Sequence, residues 1–254
     1  MAYLINGSDF LVRTSNKGFT DYVSKFGLIQ NKGADHNESS TKNVSWIDGT
    51  NKNDWITAPA ESTRKWVLKA YEGNDFIQGT DKNANWLFGH DGDDFLHGSS
   101  QFKDYLNGGS GDDTMFGYGG NDKLIGDIGD DRIFGGPGHD RISGGEGDDN
   151  LQGGDGNDLL LAGHGSNMYF GDAGADRFGL MKRHDQNIIG DFDPKEGDQL
   201  LIRQKHFNSV EISLAGRGTN GEAQFWLQSK QGLTGIQAQT NTTTDDIMGA
   251  IKLL

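Results

Sequence analysis

A carboxylate recurs at a fixed period in the middle of this chain. The stretch 108–179 divides without gaps into eight nine-residue units: GGSGDDTMF, GYGGNDKLI, GDIGDDRIF, GGPGHDRIS, GGEGDDNLQ, GGDGNDLLL, AGHGSNMYF and GDAGADRFG. Position 4 is always glycine, position 6 is aspartate in every unit except the one holding Asn167, and position 8 is never a charged residue but always an apolar or aromatic one. A flexible linker has no reason to keep position 8 in phase, so the pattern predicts a folded repeat.

These residue types suit the binding of a hard divalent cation. Glycine lets the backbone adopt positive φ and turn tightly, which leaves carbonyl oxygens free to face a common centre. The aspartate at position 6 adds a carboxylate to that centre. Calcium takes about six to eight oxygen ligands, and carbonyl and carboxylate oxygens suit it better than they suit zinc. We therefore predict several calcium ions in the turns.

The repeat also predicts the elements that position these ligands. Positions 7 to 9 form a short strand, so the side chain at position 8 points to one side and those at 7 and 9 to the other. Upstream, 70–78 and 89–97 are recognisable units, whereas 79–88 and 98–107 each carry one extra residue. The inward position persists through these four units as Ile77, Leu87, Leu96 and Leu106.

The nonapeptide G-G-x-G-x-D-x-U-x resembles the repeats of the repeats-in-toxin (RTX) family. The resemblance implies an all-β fold: a right-handed parallel β-roll (an RTX β-solenoid) in which two units make one coil. It also implies that calcium lies between one turn and the equivalent turn two units later. The Asp pairs implied in this way are 113 with 131, 122 with 140, 131 with 149, and 140 with 158.

The predicted calcium ligands fall into two groups. The carboxylates are Asp75, Asp94, Asp113, Asp122, Asp131, Asp140, Asp149, Asp158 and Asp176. The glycines are Gly109, Gly111, Gly120, Gly129, Gly136, Gly138, Gly145, Gly147, Gly154 and Gly156. The segment IIGDFDPKEGDQLLI resembles the one that closes RTX rolls, so a last calcium is expected at Asp191 and Asp198. The alternative there is a pair of ordinary turn carboxylates.

Four segments are predicted along the chain: an N-terminal capping segment (1–48), degenerate repeats (49–107), the regular roll (108–179) and a C-terminal capping sheet (180–254) resembling a β-sandwich. A solenoid needs its open end covered, which favours a cap at 1–48; a small docking segment is the alternative. INGSDFLVR there echoes a repeat around Asp9, while GFTDYVSKFGLI places Phe19, Tyr22, Val23 and Phe26 at helical spacing.

The final TTTDDIMGAIKLL has Thr at a predicted N-cap and Ile247, Ile251 and Leu254 along one helical face. A short packed helix and an uncleaved C-terminal signal for type I secretion, which the resemblance implies, are compatible predictions. The start AYLINGSDFLV lacks the basic and apolar regions of a signal peptide, so export without an N-terminal signal is expected.

Composition and charge restrict the function classes. The net charge is −14 and the chain has no cysteine. No basic stripe exists to neutralise phosphates, which argues against nucleic acid as a partner, and no apolar run is long enough for a transmembrane segment. Without metal the acidic turns repel one another, so we predict folding coupled to calcium. Extracellular modules work at high calcium, which favours a secreted, extracellular or cell-surface location.

The outward positions 7 and 9 hold many aromatic residues, as two predicted stripes. One sheet carries Phe76, Phe95, Phe116, Phe134 and Phe170, and the other carries Trp86, Phe88, Tyr105, Ile125, Leu159 and Leu161. Exposed apolar stripes mark contact surfaces, which predicts self-association or binding to a matrix or surface partner. The alternative is that the terminal segments cover the stripes.

No catalytic motif is found. The chain lacks H-E-x-x-H, G-x-S-x-G and G-x-x-x-x-G-K-[ST]. We therefore expect no enzyme, but a secreted calcium-binding protein with a structural, adhesive or self-assembling role. A calcium-dependent carbohydrate-binding module related to alginate-modifying enzymes, with polysaccharide as its partner, is the alternative.

Overall fold

The computed structural model describes residues 2–4, 11–13, 22–23, 28–29, 44–180, 186–202, 210–217, 223–229, 232–238 and 242–253. Four short strands precede the repeats: β1 (Ala2–Leu4), β2 (Leu11–Arg13), β3 (Tyr22–Val23) and β4 (Leu28–Ile29). β1 pairs with β2 and β3 with β4, both antiparallel. The helix predicted through Tyr22 and Val23 is therefore wrong, because these two residues form a strand. Asp9, Phe19 and Phe26 lie outside the described residues, and the predicted N-terminal cap stays a prediction.

The repeats form consecutive short strands: β5 (Val44–Asp48), β6 (Trp55–Thr57), β7 (Lys65–Glu72), β8 (Phe76–Gln78), β9 (Asn85–Asp91), β10 (Phe95–His97), β11 (Tyr105–Ser110), β12 (Thr114–Phe116), β13 (Lys123–Ile128), β14 (Arg132–Phe134), β15 (Arg141–Glu146), β16 (Asn150–Asp155), β17 (Leu159–His164), β18 (Met168–Ala173) and β19 (Arg177–Leu180). The remaining elements are β20 (Gln186–Phe192), β21 (Gln199–Ile202), β22 (Val210–Arg217), β23 (Ala223–Ser229), β24 (Gly232–Ala238), α1 (Thr244–Ala250) and β25 (Ile251–Leu253).

Successive strands alternate between two parallel sheets, as the resemblance to RTX repeats implies. The first sheet runs β6-β8-β10-β12-β14-β16-β18-β20, and the second runs β5-β7-β9-β11-β13-β15-β17-β19-β21-β25. Residues two units apart pair in register; Met115 pairs with Ile133, and Leu124 with Ile142. The chain is therefore a parallel all-β solenoid. The second sheet begins with β5 (Val44–Asp48), which lies before residue 49, the predicted start of the repeats.

The core is one stack of inward side chains between the two sheets. Every position-8 residue of the repeats is almost fully buried: Ile56, Leu68, Ile77, Leu87, Leu96, Leu106, Met115, Leu124, Ile133, Ile142, Leu151, Leu160, Tyr169 and Phe178. Strands such as β14 and β16 follow the expected alternation, with an exposed residue before the buried one. The stack persists through the degenerate repeats, as predicted for Ile77, Leu87, Leu96 and Leu106.

The turns line two edges of the solenoid. We call those that lead into the first sheet the first edge and those that lead into the second sheet the second edge. Each edge repeats every two units, or 18 residues in the regular part, so equivalent turns stack directly on one another. This stacking brings the position-6 residues of one edge into a single row.

Both sheets continue past the repeats. In the first sheet β20 pairs in parallel with β24, which is followed by the antiparallel strands β23 and β22. In the second sheet β25 pairs in parallel with β21. The strands predicted after residue 180 are therefore present, while the sandwich-like cap remains a prediction. No helix within the described ranges is long and apolar enough to cross a membrane.

The predicted C-terminal helix is present but shorter than expected. Thr243 is its N-cap and exchanges hydrogen bonds with Asp246 in a capping box, as the sequence indicates. The helix ends at Ala250, and Ile251 begins β25, so the predicted helical face through Ile251 is wrong. Pairing with the free edge of β21 satisfies this backbone better than one more helical turn would. Leu254 lies outside the described residues.

Candidate metal centre

The position-6 residues of the first edge form a continuous row of hydrogen bonds. The backbone N–H of each donates to the side-chain Oδ1 of the equivalent residue in the next coil, at 2.6–3.3 Å. We call this row the first ladder. Its members are Asp54, Asp75, Asp94, Asp113, Asp131, Asp149, Asn167 and Asn187.

The second edge carries an equivalent row, the second ladder. Donor–acceptor distances there lie between 2.5 and 2.8 Å. Its members are Asn85, Asp104, Asp122, Asp140, Asp158, Asp176 and Asp198. The four Asp pairs implied by the resemblance are thus neighbours in these two ladders.

One oxygen of each carboxylate in the regular turns has no partner. Oδ1 accepts the ladder hydrogen bond, whereas Oδ2 is buried and accepts no hydrogen bond. This holds for Asp75, Asp94, Asp113, Asp122, Asp131, Asp140, Asp149, Asp158 and Asp176. A buried carboxylate oxygen without a donor is costly, so these turns are complete only when a positive group faces Oδ2.

The raised pKa values of the ladder carboxyl groups also indicate that these turns favour a bound cation. Burial raises the pKa of Asp113 and of Asp122 to about 8, and like charges on neighbouring carboxylates add to the shift. Burial also raises the pKa of Asp131, Asp149 and Asp158 to about 7. These carboxyl groups resist ionisation in the bare protein, and a nearby cation would reverse this by favouring the charged form.

Turn backbone oxygens lie beside the unpartnered carboxylates. An alanine at Gly117 would place its Cβ 2.7 Å from both Asp122 Oδ2 and the Gly135 carbonyl oxygen. The two oxygens therefore face the same space, which glycine at position 1 leaves open. The ten predicted glycine ligands all have positive φ, from +99° at Gly136 to +152° at Gly138. This is the turn conformation that the repeat predicts.

The donor set fits calcium. Among the described residues no three acidic or histidine side chains converge on one point. The turns at the nine aspartates named above instead each offer one unpartnered carboxylate oxygen together with backbone carbonyls, and hard oxygen ligands are those that calcium prefers. A bound ion would supply the positive charge that the buried carboxylates lack. The turns themselves hold these oxygens in place through the ladder hydrogen bonds.

Asp191 and Asp198 differ from the repeat carboxylates. Asp191 accepts from the backbone N–H groups of Gly171 and Asp172, and Asp198 accepts from those of Asp176 and Asp193. Both oxygens of each side chain therefore have protein donors. This geometry favours the alternative reading, in which the two residues are hydrogen-bonded turn carboxylates.

Five residues with a strained backbone were not predicted from the sequence. Tyr71, His90, Tyr118, Asp127 and Asp172 adopt positive φ, although none is glycine. All five occupy position 2, where most regular units carry glycine, so an alignment of the units to one another identifies them. Their side chains make contacts that offset the strain: Tyr118 Oη lies 2.6 Å from His97 Nδ1, and Asp127 accepts from Asn107.

Comparison with known proteins agrees with this geometry. Segments 69–102, 99–133, 107–142, 116–151 and 143–178 match the family described as RTX calcium-binding nonapeptide repeat (4 copies). No match to a curated protein is found.

Two solved structures are similar to this chain. The first is the solution structure of the AlgE6R3 subunit of the Azotobacter vinelandii mannuronan C5-epimerase, at 23% identity over 61% of this chain and 80% of that chain, with a TM-score of 0.20. The second is the crystal structure of the extracellular lipase LipA from Serratia marcescens, at 15% identity over 85% of this chain and 43% of the lipase, with a TM-score of 0.23. This chain thus spans less than half of the lipase, and at these TM-scores neither likeness carries a functional argument. The repeat geometry and the family match together identify residues 69–178 as RTX calcium-binding nonapeptide repeats folded as a β-roll.

Proposed function

We propose that this chain is a secreted, non-catalytic structural or adhesive protein whose roll folds on binding calcium and then presents an aromatic face to a partner. One observation carries the role of the face: a continuous row of aromatic rings on the outer side of the first sheet. Trp55, Phe76, Phe95, Phe116 and Phe134 follow one another at centroid distances of 4.5–6.0 Å.

This aromatic row is open to solvent in the described part of the chain. Within the row, Trp55 is 52% exposed and Phe95 39%, while Phe76, Phe116 and Phe134 are half-buried. Tyr118, in the turn after β12, stacks on Phe116 and is 42% exposed. A cluster of this kind on the surface of a rigid sheet is typical of a contact site. Phe170, predicted to extend the stripe, lies in β18 of the same sheet, next to the position occupied by Gln152.

Calcium controls the formation of this aromatic face, because the strands that carry the rings stack only when the turns that connect them are folded. The ladder carboxylates repel one another unless a cation neutralises them, and the rings are aligned only when the coils stack. Extracellular fluids hold calcium at the concentrations at which such modules fill, which supports a location outside the cell.

A calcium titration of the full chain tests the proposal. Circular dichroism should report strand formation as calcium is added, while magnesium at the same concentration should not. Sedimentation velocity should show self-association or matrix binding only with calcium, and Phe95→Ser with Phe116→Ser should reduce it. The matched control is Asn150→Ser on the same sheet, which lies outside the row. Folding that does not require calcium, or association that is unchanged in the doubly substituted variant, contradicts the proposal.

A second candidate function rests on the second sheet. Lys123, Arg141 and Arg177 stand exposed in one row on its outer face, and Lys123 Nζ lies 5.1 Å from the Tyr105 ring centroid. Cations beside aromatic platforms suit an anionic polysaccharide. Binding of a polyuronate that depends on calcium and falls in Lys123→Ala with Arg141→Ala would favour this candidate, and binding unchanged by the two substitutions would exclude it.

A further inference from the structure

In three turns near the start of the roll, the side-chain oxygen equivalent to the unpartnered one of the regular turns has protein donors, although the other oxygen of Asp54, Oδ1, has no partner. We call them the hydroxyl turns: 49–54, 79–85 and 98–104. Each has a hydroxyl residue at position 2, where the regular units have glycine or a residue with positive φ: Thr50, Thr80 and Ser99. The hydroxyl residues are not among those with positive φ, so these turns follow a different backbone path.

The turn at Asp104 shows how the hydroxyl acts. Ser99 Oγ donates to Asp104 Oδ2 at 2.7 Å, and the Ser99 backbone N–H donates to the same oxygen. The turn at Asp54 repeats this pattern, since Thr50 Oγ1 lies 2.9 Å from Asp54 Oδ2 and the Thr50 N–H also donates to it. The oxygen that stands unpartnered in the regular turns is satisfied here by protein donors.

The turn at Asn85 reaches the same end with an amide. Asn85 Oδ1 accepts from the Thr80 N–H at 2.9 Å, and its Nδ2 donates to the Thr80 carbonyl and to Asp104 Oδ1. The charge that a calcium ion would require is absent, and every side-chain polar atom of Asn85 has a partner.

Asp104 and Asp122 provide a direct comparison. They are adjacent in the second ladder, both are 1% exposed, and each accepts one ladder N–H through Oδ1. They differ at Oδ2, which has two donors in Asp104 and none in Asp122, and Asp104 Oδ1 accepts a further hydrogen bond from Asn85 Nδ2. Burial and ladder position are therefore equal, and the hydroxyl residue accounts for the difference.

We propose that the hydroxyl turns are metal-free, with the position-2 N–H, joined at Asp54 and Asp104 by the position-2 hydroxyl, occupying the place of the ion, so that calcium binding on the second edge begins at Asp122. The inference rests on the calcium-dependent roll proposed above. Hydrogens that point at a carboxylate oxygen repel a cation and have already stabilised its negative charge, so little attraction for calcium remains.

The same coils gain cohesion from aromatic contacts that do not need metal. The Trp55 and Phe76 rings are 4.5 Å apart on the first sheet, and Phe88 and Tyr105 are 5.5 Å apart on the second. Each ring pair joins two adjacent strands of one sheet, β6 with β8 and β9 with β11, which belong to neighbouring coils. Ring contacts thus hold together coils that have fewer ions between them.

Calcium content tests the proposal in the full-length chain. Asp104→Asn and Asp122→Asn are dialysed against saturating calcium, and bound metal is counted by atomic emission. Asp122→Asn should lose at least one equivalent, and Asp104→Asn should match the unsubstituted chain. An equal loss in both variants would overturn the inference. A chain that binds no calcium before substitution would instead contradict the calcium-dependent roll itself.

A second pair of variants keeps the test decisive if Asp104→Asn fails to fold. Ser99→Ala removes the hydroxyl donor to Asp104 Oδ2 and keeps the backbone N–H donor, whereas Ser100→Ala changes an exposed serine in the same turn. With saturating calcium, Ser99→Ala should lower the thermal midpoint and leave the calcium count unchanged, and Ser100→Ala should change neither. Equal midpoints for the two variants, or a calcium equivalent lost in Ser99→Ala, would overturn the proposal.

Discussion

At the scale of single residues, the two oxygens of each ladder carboxylate have separate tasks. Oδ1 accepts the N–H of the preceding coil and so fixes the register between turns; Asp113, for example, accepts from Asp94. Oδ2 is left for a cation in the regular turns. Asparagine can take over the first task without the second, as Asn167 does near the end of the first ladder by accepting from the Asp149 N–H.

The position-4 glycines permit the close stacking of turns. Gly138 has φ of +152°, and a Cβ there would overlap the Gly120 carbonyl oxygen of the preceding coil. We expect Gly138→Ala to cost more than about 1 kcal/mol in the free energy of unfolding at saturating calcium, because it adds both backbone strain and a steric overlap.

Gly249→Ala is the matched control for that substitution. Gly249 lies in α1 with no atom within 4 Å of a Cβ placed there. Alanine should stabilise the helix by roughly 0.5–1 kcal/mol. Urea unfolding of both variants measures the two changes, and equal values would contradict the role given to the turn glycines.

The ladder carboxylates also predict a pH dependence of the metal-free chain. Burial raises their pKa in the fold, to about 8 for Asp113 and Asp122, whereas in the unfolded chain they ionise near pH 4. A raised carboxyl pKa contributes stability that is present at low pH and lost as pH rises through about 8.

Chelated protein should therefore be more ordered at pH 5 than at pH 9 by circular dichroism. With saturating calcium the carboxylates are ionised in the fold, so acidification should destabilise it instead. A chelated chain with more strand signal at pH 9 than at pH 5 would show that the buried carboxylates do not limit folding.

At the scale of elements, each strand contributes little to the core. A strand such as β16 buries Leu151 fully between the sheets and exposes Asn150 just before it. With one large inward residue per strand, neighbouring strands cannot compensate for the loss of one.

Leu151→Ala should thus destabilise the calcium-loaded protein by about 2–5 kcal/mol, the usual range for such cavities. Asn150→Ala on the same strand should change the free energy of unfolding by about 0.5 kcal/mol or less, since the side chain is exposed. Chemical denaturation at saturating calcium provides both values, and a small effect of Leu151→Ala would mean that the stack is not the core.

At the scale of the whole molecule, the roll is a one-dimensional array in which each coil contacts its neighbours. Asp140 accepts from the Asp122 N–H and donates its own N–H to Asp158, so it joins three consecutive coils. Coupling in such arrays falls off with distance along the axis.

Asp140→Asn should therefore raise amide hydrogen exchange first around residues 122 and 158, and least around residues 56 to 78. The substitution keeps the ladder acceptor and removes the unpartnered charged oxygen, so the change reports the ion rather than the hydrogen bond. Hydrogen exchange with mass spectrometry in calcium measures it. Uniform loss of protection along the chain would indicate a single cooperative unit.

Much of this molecule follows from the order of its residues. The nine-residue period predicted the short strands and the inward stack, because a strand of period two and a glycine turn are local properties. The two alternating sheets and the neighbouring Asp pairs were implied by the resemblance to RTX repeats. The strands beyond residue 180 and the N-cap at Thr243 were predicted for the same local reasons.

Other features were decided by contacts that form only in the folded chain. The end of α1 at Ala250 depends on the free edge of β21, and the donors to Asp104 depend on how the Ser99 turn folds back. The two turn types, with and without an unpartnered Oδ2, differ in hydrogen bonds within one turn, from Thr50 to Asp54 and from Ser99 to Asp104, which depend on how the backbone of that turn folds. Sequence alone determined where the carboxylates recur, because spacing is covalent; the tertiary structure decided which of their oxygens remain free, because that depends on donors brought close in space.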